Sequence, residues 1–411
     1  MKRERAASSD EPLRMGVIGL GRAFTLMLPT FQRDPRVRLV AACDLSDAAR
    51  KQFVADFGAA AYPDAAALCA DPSVELVYVA SPHQCHAAHV ALAAANGKHV
   101  LLEKPMAVTL DECDAMISAM RAAGCALIVG HSHSFDAPVL RARELIDSDE
   151  IGDVRMIQAF NYTDFLYRPR RPEELDTAQG GGVVHSQAAH QVDVVRLLGG
   201  GLLASVRAIA GRWDAARPTE GAYSALLSFQ GGAFASLSYS GYGHFDSDVW
   251  MDGRGELGQT KSADDYGVAR RRLRALAHRD DEAAAKAARN YGGPAWSPAG
   301  VETAADAESA SRPSHQHFGP VIISGERGAL RLTPHGVWRY GAQRCEFEAI
   351  AVPPVPRREV IDELWQVLRS GGVPQHDGAW ARATTEACLA ILESSRTGVD
   401  VALRQQVAWR R

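Results

Sequence analysis

The chain has 411 residues, of which 46% are hydrophobic, a formal net charge of −4 and seven cysteines. This length allows two domains with sizeable cores, and the charge balance argues against nucleic-acid binding. No apolar run approaches the roughly 20 residues of a membrane span. The start lacks the apolar stretch of a signal peptide and the cysteines form no CxxC pair, which favours the cytoplasm over an oxidising compartment. We expect residues 1–12 to form a flexible tail.

The first third of the chain alternates short strands with helices. The predicted strands are 14–20, 37–43, 75–80, 99–102 and 126–130, and the predicted helices are 23–34, 46–57, 83–96 and 110–123. This alternation predicts a parallel sheet covered on both faces. We assign it to an N-terminal domain over residues 13–134.

Beyond residue 134 longer strands are grouped together. The predicted strands are 154–162, 205–213, 222–229, 233–240, 320–323 and 329–332, with predicted helices at 138–147, 360–369 and 379–394. This grouping indicates a mixed or antiparallel sheet in a second α/β domain over 135–370. A charged stretch at 254–314 is interpreted as an insertion, and we expect residues 371–411 to return as a helix that packs on the first domain.

A glycine turn follows the first predicted strand. Gly19 and Gly21 allow the backbone to approach a pyrophosphate at the start of the next helix, although Phe24 stands where a small residue is usual. A plain glycine pair between a strand and a helix is the alternative. Asp44, about 25 positions after Gly19, has the spacing of a carboxylate that accepts ribose hydroxyls, which favours NAD over NADP. It could equally be a helix cap.

Two more strand ends carry polar segments. Residues 81–86 follow one strand, where His86 either contacts a ligand or simply begins a helix. Lys104 follows another strand, between Glu103 and Pro105. A lysine at the carboxyl end of a buried parallel strand lies where open α/β sheets bind ligands, and it can polarise an oxygen.

A third group begins at the glycine triplet 180–182 and enters a helix that carries His185, Ser186 and His190. Ser186 and His190 share a helix face because they are four residues apart. Imidazole titrates near neutral pH, so His190 is the best candidate for a general acid or base. A structural histidine is the alternative.

In this order, the three groups resemble the Gfo/Idh/MocA oxidoreductase family, which includes glucose–fructose oxidoreductase and inositol dehydrogenase. The resemblance runs from GVIGLG through the Glu-Lys-Pro segment to the C-terminal helices. It implies an N-terminal Rossmann NAD-binding domain and a C-terminal α/β domain whose large open mixed or antiparallel sheet often forms the oligomer interface. It also implies that Lys104 and His190 are catalytic, with Ser186 where the family has an aspartate.

The expected site follows from these patterns and from the resemblance. The expected cofactor contacts are Gly19, Gly21, Arg22, Ala23, Asp44, Ser81, Pro82, His83, His86, Glu103 and Lys104. The expected substrate contacts are His133, Arg168, Arg170, Arg171, His185, Ser186 and His190. His131 and His133 form an HxH pair but lack the spacing of a zinc site, so no metal is expected.

Within the family, residues 22–31, the arginine-rich stretch 167–172 and the insertion resemble phthalate dihydrodiol dehydrogenases. Guanidinium pairs with carboxylate, although each arginine alone can be part of a solvated loop. We therefore expect a cytoplasmic NAD(P)-dependent dehydrogenase, with NADP the less favoured cofactor, that oxidises a phthalate cis-dihydrodiol to the dihydroxyphthalate. It should be a homodimer or homotetramer, with neither nucleic acid nor membrane as partner. The alternatives are an inositol or sugar dehydrogenase and a non-catalytic NAD-binding sensor or repressor.

Overall fold

The computed structural model describes residues 11–276, 280–297 and 314–410. The chain divides into two compact units. The first unit comprises Met1–His131, Ala287–Ala299 and Pro353–Ala379, and the second comprises Ser132–Lys286, Gly300–Val352 and Trp380–Arg411. The tail expected at 1–12 lies almost wholly outside the described residues. No helix of the described part is long and apolar enough to cross a membrane.

The first unit is built on a parallel sheet. Its strands are β1 (Leu13–Ile18), β2 (Val37–Cys43), β3 (Ala60–Tyr62), β4 (Leu76–Val79), β5 (His99–Leu102) and β6 (Leu127–Val129). Its first helices are α1 (Arg22–Arg33), α2 (Asp47–Phe57), α3 (Ala65–Ala70), α4 (His86–Ala95) and α5 (Leu110–Ala122). The strand order β3-β2-β1-β4-β5-β6 is that of a Rossmann fold, with its switch point between β1 and β4. The predicted fold class is confirmed for this unit.

The second unit contains a nine-stranded mixed sheet. Its strands are β7 (Val154–Tyr162), β8 (Leu203–Gly211), β9 (Ala222–Phe229), β10 (Phe234–Ser240), β11 (Val321–Gly325), β12 (Gly328–Thr333), β13 (Gly336–Gly341), β14 (Cys345–Ala349) and β15 (Val401–Ala402). They lie in the order β14-β13-β12-β11-β7-β10-β9-β8-β15. β7 and β10 are parallel, and the other paired neighbours are antiparallel. The predicted mixed sheet is thus confirmed.

Helices cover one face of this sheet. The helices of the second unit are α6 (Ala137–Asp147), α7 (Ala189–Leu198), α8 (Val268–Arg274) and α9 (Asp280–Ala287), which ends at the unit's border. Two more helices follow, α10 (Arg358–Ser370) in the first unit and α11 (Gly378–Thr397), most of which lies in the second. Apolar residues of α6, α7 and α11 form one core with alternate strand residues, among them Val195, Leu227 and Ile391. Strand alternation places the remaining side chains on the opposite, exposed face.

The C-terminal segment differs from its predicted arrangement. Trp380 and Ile391 of α11 belong to the core of the second unit, whereas residues 371–411 were expected to pack on the first domain. The segment that returns to the first unit comes earlier, at Pro353–Ala379, and it carries α10. Both helices are amphipathic, so their sequences alone do not indicate which core each one joins.

The insertion predicted at 254–314 is divided between the two units. Residues 254–276 and 280–286 lie in the second unit, and residues 287–297 lie in the first. Residues 277–279 and 298–313 are outside the described part.

Candidate active site

The glycine turn joins β1 to α1. Gly19 has a φ of +95°, and a Cβ there would lie 2.8 Å from the carbonyl oxygen of Ala80, so the turn can approach β4 only with glycine at this position. Gly21 is the N-cap residue of α1, and a Cβ on it would meet no atom of the described residues within 4 Å. The start of α1 is therefore open to an anion, and this open space fits the pyrophosphate of a dinucleotide.

Asp44, which follows β2, hydrogen-bonds to this turn. Its Oδ2 accepts a hydrogen bond from the Leu20 N–H at 2.7 Å, and its Oδ1 accepts one from the Ser46 N–H at 2.7 Å. The side-chain cap of α2 is Ser46, whose Oγ accepts from the Ala49 N–H at 3.3 Å. The half-exposed carboxylate keeps lone pairs for ribose hydroxyls, so its position fits NAD.

The other expected cofactor contacts lie at the ends of β1 and β4. Arg22 is exposed in the first turn of α1, next to Ala23, and its Nη1 lies 3.4 Å from Thr25 Oγ1. Pro82 and His83 begin the short 3-10 turn after β4. Ser81 precedes them, and its Oγ lies 2.9 Å from His89 Nδ1. All of these residues follow strands at the switch point, where open α/β sheets bind their ligands.

His86 differs from its predicted role as a ligand contact. Its Nε2 lies 3.0 Å from the Ser81 carbonyl oxygen, and its Nδ1 lies 3.1 Å from the Pro105 and 3.2 Å from the Met106 carbonyl oxygens. Burial lowers the pKa of this histidine, and the carbonyls oppose that effect. His86 therefore ties the segment after β4 to the segment that carries Lys104, because both of its ring nitrogens face the main chain.

Glu103 and Lys104 follow β5. The Tyr78 hydroxyl donates to Glu103 Oε1 at 2.5 Å. Burial raises the pKa of Glu103, while the Tyr78 hydrogen bond and the Lys104 ammonium oppose this rise. Lys104 itself is half-exposed. Glu103 is held by Tyr78, and Lys104 carries a cation at the carboxyl end of a parallel strand.

The glycine triplet of the second unit is explained by packing. A Cβ on Gly181 would lie 2.6 Å from the Glu173 carbonyl oxygen, and a Cβ on Gly182 would lie 2.0 Å from Glu220 Oε1. Glu220 Oε1 also accepts a hydrogen bond from the Val184 N–H at 3.2 Å. Gly181 and Gly182 thus admit neighbouring protein segments.

A π-helical turn, Val184–Ala188, leads into α7 and carries two expected substrate contacts. Such turns are frequent at functional sites. Ser186 donates its hydroxyl to the Gly182 carbonyl oxygen at 2.5 Å. Burial lowers the pKa of His185 to about 4, so its ring is neutral at physiological pH. His185 can hydrogen-bond a substrate but cannot neutralise a carboxylate.

His190 lies on α7 among other rings. Its ring centroid is 4.8 Å from that of His133, in an edge-to-face arrangement, and 5.1 Å from that of Phe318. His133 Nδ1 lies 2.6 Å from Asp136 Oδ2. His133 was expected to contact substrate, but its ring is only about 5% exposed and is held by Asp136 and Phe318. The structure therefore makes His133 a neighbour of the candidate acid–base residue.

Asp193 lies one turn after His190 and has a structural role. Its Oδ2 accepts from the Ser134 hydroxyl at 2.5 Å, and its Oδ1 accepts from Trp380 Nε1 at 2.6 Å and from the Thr384 hydroxyl at 2.9 Å. These bonds join α7 to α11 inside the second unit. Buried carboxylates require such partners, so Asp193 is committed to the core.

Comparison with known proteins gives two matching family models. The model described as an oxidoreductase family with an NAD-binding Rossmann fold matches residues 13–131. The model of the Gfo/Idh/MocA C-terminal domain matches residues 139–260. The chain belongs to the Gfo/Idh/MocA oxidoreductase family. It is an NAD-dependent oxidoreductase of the dehydrogenase type, as the sequence predicted.

Two curated proteins and one solved structure are similar over 60% or more of the chain. A Comamonas testosteroni protein named 1-carboxy-3-chloro-3,4-dihydroxycyclohexa-1,5-diene dehydrogenase is 48% identical, over 93% of this chain and 95% of its own length. The trans-1,2-dihydrobenzene-1,2-diol dehydrogenase of Sus scrofa is 30% identical, over 60% of this chain and 73% of its own. A crystal structure of a Bordetella bronchiseptica RB50 protein is 39% identical, with a TM-score of 0.87, over 95% of this chain and 100% of that one.

The three arginines that the sequence predicts as substrate contacts differ in their partners. Arg171 Nε lies 3.1 Å from Glu173, and Arg170 packs its guanidinium 3.6 Å from the centre of the Phe165 ring. Burial lowers the pKa of Arg170 to about 10. Arg168 has a more exposed side chain, about 41%, with a long contact of 3.4 Å to Asp164 and its guanidinium 5.7 Å from the centre of the Phe165 ring. Arg168 is therefore the arginine best able to receive a carboxylate.

Sequence reasoning missed one contact of the NAD-binding half. The Tyr291 N–H donates to the Leu20 carbonyl oxygen at 3.2 Å, and its ring packs edge-on against Phe24 with centroids 5.2 Å apart. The Tyr291 hydroxyl also hydrogen-bonds to Asp56. The unusual Phe24 was a signal, because a large side chain in the first turns of α1 requires a covering partner.

Proposed function

We propose that the protein oxidises a ring-carboxylated cyclohexadiene cis-diol with NAD⁺ and yields the corresponding dihydroxylated aromatic acid. The phthalate cis-dihydrodiol is the member of this class that the sequence favours. The 48% identical relative carries a carboxylated dihydroxycyclohexadiene in its name, which supports the class. Aromatisation after oxidation makes such a reaction effectively irreversible.

In this proposal Lys104 polarises the carbinol oxygen and His190 accepts the hydroxyl proton. A cation that faces a developing alkoxide acts mainly in the transition state, and a neutral imidazole is the usual base near neutral pH. NAD⁺, when bound, supplies the hydride acceptor. Asp44 and the open start of α1 would hold its ribose and pyrophosphate.

The observation that carries the choice of substrate is Arg168. Its burial opposes its charge, but the carboxylates of Glu256 and Asp164 outweigh burial and raise its pKa, so it remains a cation. Arg170 and Arg171 are occupied by Phe165 and by glutamates. One available guanidinium suits one ring carboxylate bound bidentately. A second carboxylate would have to find another donor.

The test is an NAD⁺-reduction screen of mono- and dicarboxylated cis-dihydrodiols, a neutral cis-dihydrodiol, inositols and sugars. Arg168→Gln should raise KM for the carboxylated diols by about tenfold, the worth of one charged hydrogen bond, and should leave the neutral diol almost unaffected. Arg171→Gln is the matched control, because its guanidinium already pairs with Glu173. Preferred turnover of inositols or sugars would contradict the proposal, and no turnover of any substrate would favour an NAD-binding sensor.

We also propose that the enzyme is a homodimer or homotetramer in the cytoplasm, associated through the exposed face of the second sheet. Ile209 and Leu226 on this face are about 72% and 47% exposed. Exposed apolar side chains on a sheet face support the proposal of an interface there. All seven cysteines are free, which supports a reducing compartment.

A further inference from the structure

The family's aspartate, four residues before the catalytic histidine, is replaced by Ser186 in this chain. A serine cannot supply a negative charge, and the Ser186 hydroxyl donates to the Gly182 carbonyl oxygen. Asp193, on the same helix as His190, is bonded to Ser134, Trp380 and Thr384. If His190 accepts a proton, a carboxylate on another element can help to stabilise the charge that results.

A carboxylate–imidazole pair from the segment before α6 lies beside His190. Asp136 Oδ2 is 2.6 Å from His133 Nδ1, and the His133 ring stands edge-on to His190 at 4.8 Å. Phe318 packs against both rings, with centroids 5.3 Å from His133 and 5.1 Å from His190. None of the three polar residues is more than 9% exposed, so the pair acts in a medium of low dielectric.

We propose that the Asp136–His133 pair takes the place of the missing family aspartate by orienting the His190 ring and stabilising its protonated form. This inference rests on the proposed function, in which His190 is the base. His133 donates its Nδ1–H to Asp136, so the pair carries one negative charge while His133 is neutral. That charge favours an imidazolium at His190. Asp136 and His133 are thus positioning residues rather than catalytic residues.

Two more histidines of the second unit interact with the pair. His317 interacts electrostatically with His133 and Asp136, and its own ring bonds the Arg254 carbonyl oxygen at 2.9 Å. His315 interacts with Asp136. Burial lowers the pKa of both His315 and His317, so both are neutral near pH 7. Neither histidine adds a charge there, and Asp136 contributes a negative one next to His133.

A small cavity lies next to His133. Its volume is about 20 Å³, enough for one water molecule, and Gln191, His317 and Thr333 contribute polar groups to its wall. In the proposed oxidation the hydroxyl O–H bond breaks and its proton goes to the imidazole of His190.

The test compares Asp136→Asn with wild type by two readouts. The first is the NMR titration of His190 in ¹⁵N-histidine-labelled full-length protein, which requires neither substrate nor cofactor. Asparagine keeps an acceptor for His133 but removes the charge, so the pKa of His190 should fall by about one unit. The second readout is the pH profile of kcat, whose acidic limb should move to lower pH by the same amount, while kcat falls about tenfold and KM changes less than about twofold.

Two further variants make the outcome specific. Asp136→Glu keeps the carboxylate, so the pKa of His190 should stay near its wild-type value. Glu363→Gln is the matched control, because it removes the charge from another buried pair, Glu363 with His376 at 2.7 Å in the first unit, and should leave the profile unchanged. If Asp136→Asn does not fold, the pKa of His190 in the wild-type protein tests the proposal instead. A His190 that titrates below about 5, as a buried imidazole without a charged partner does, contradicts the proposal.

The two proposals can fail separately. Failure of the wild-type enzyme to oxidise any diol would refute the proposed function and leave the NMR titration interpretable. An active enzyme whose His190 titration is the same with and without the Asp136 charge would refute only the role of the pair.

Discussion

At the scale of single residues, the partners of each polar side chain decide its role. His86 faces main-chain carbonyls with both nitrogens, and Asp193 is bonded on both oxygens, so both are structural. Lys104 and Asp44 are half-exposed at strand ends of a parallel sheet. Those two residues therefore carry the sharpest predictions about catalysis and cofactor choice.

Lys104→Met should lower kcat by about a hundredfold and leave NAD⁺ affinity nearly unchanged, because the ammonium acts on the developing alkoxide. Steady-state kinetics and calorimetric titration with NAD⁺ measure the two effects. Lys51→Met is the control, since Lys51 is about 78% exposed and pairs only with Asp47 in the described structure. A Lys104 variant that keeps most of its activity would show that the lysine is not catalytic.

Asp44 should make the enzyme prefer NAD⁺ over NADP⁺ by about tenfold or more in kcat/KM, since its carboxylate would meet a 2′-phosphate. Asp44→Ser should narrow that ratio and also weaken NAD⁺ binding, because the Leu20 N–H loses its acceptor. Asp47→Ser, on the exposed surface of α2, is the control and should change neither the NAD⁺/NADP⁺ preference nor the NAD⁺ affinity. Equal or better turnover of the wild type with NADP⁺ would overturn this prediction.

At the scale of elements, the insertion supports the cofactor-binding turn. The peptide of Leu20 is held on one side by Asp44 and on the other by the Tyr291 N–H. Tyr291 is about 1% exposed and packs between Phe24 and Trp296. Residues 287–297 thus form part of the dinucleotide-binding unit, although they follow β1 by more than 260 positions.

Tyr291→Ala should lower the free energy of unfolding by about 3 kcal/mol, because it removes a buried ring, and should weaken NAD⁺ binding in the protein that remains folded. Urea unfolding and fluorescence titration with NAD⁺ check the two parts. Tyr291→Phe keeps the ring and the backbone hydrogen bond. Its free energy of unfolding and its NAD⁺ affinity should both stay close to those of the wild type. Unchanged NAD⁺ affinity in folded Tyr291→Ala would mean that the insertion does not hold the turn.

Elements with strong local patterns could be predicted, and elements that depend on distant partners could not. The strands Val37–Cys43 and His99–Leu102 were predicted to the residue because they are short, apolar and bounded by turns. Cys345–Ala349 was missed because it is a largely exposed edge strand. The closeness of the His133–Asp136 pair to His190 depends on tertiary packing across more than 50 positions, which no periodicity reveals.

At the scale of the whole molecule, the second sheet is covered on one face by helices and exposed on the other. The exposed face carries Ile209, Leu226, Phe234 and Ile322, which lie on four different strands. Polar side chains such as Ser224, Ser236 and Gln158 lie between them on neighbouring strands, so the face is a mixed apolar and polar surface, which is the composition of many interfaces.

Leu226→Lys should shift the protein from the proposed oligomer to the monomer, because it buries an unpaired charge in the interface. Size-exclusion chromatography with light scattering gives the mass directly. Val54→Lys, at an exposed apolar position of α2, is the control and should leave the mass unchanged. A wild-type protein that is monomeric at micromolar concentration would exclude the proposed interface.

The first unit is assembled from three separated stretches of the chain, of which the last ends at Ala379. During synthesis, a nascent chain that has released only its first 131 residues still lacks Tyr291, which covers Phe24, and the Arg369 guanidinium, which bonds to Glu75. The cofactor-binding unit can therefore reach its final packing only after residue 379 has been synthesised. Ribosome-stalled chains that end before residue 379 should remain sensitive to protease within their first 131 residues, even when NAD⁺ is present.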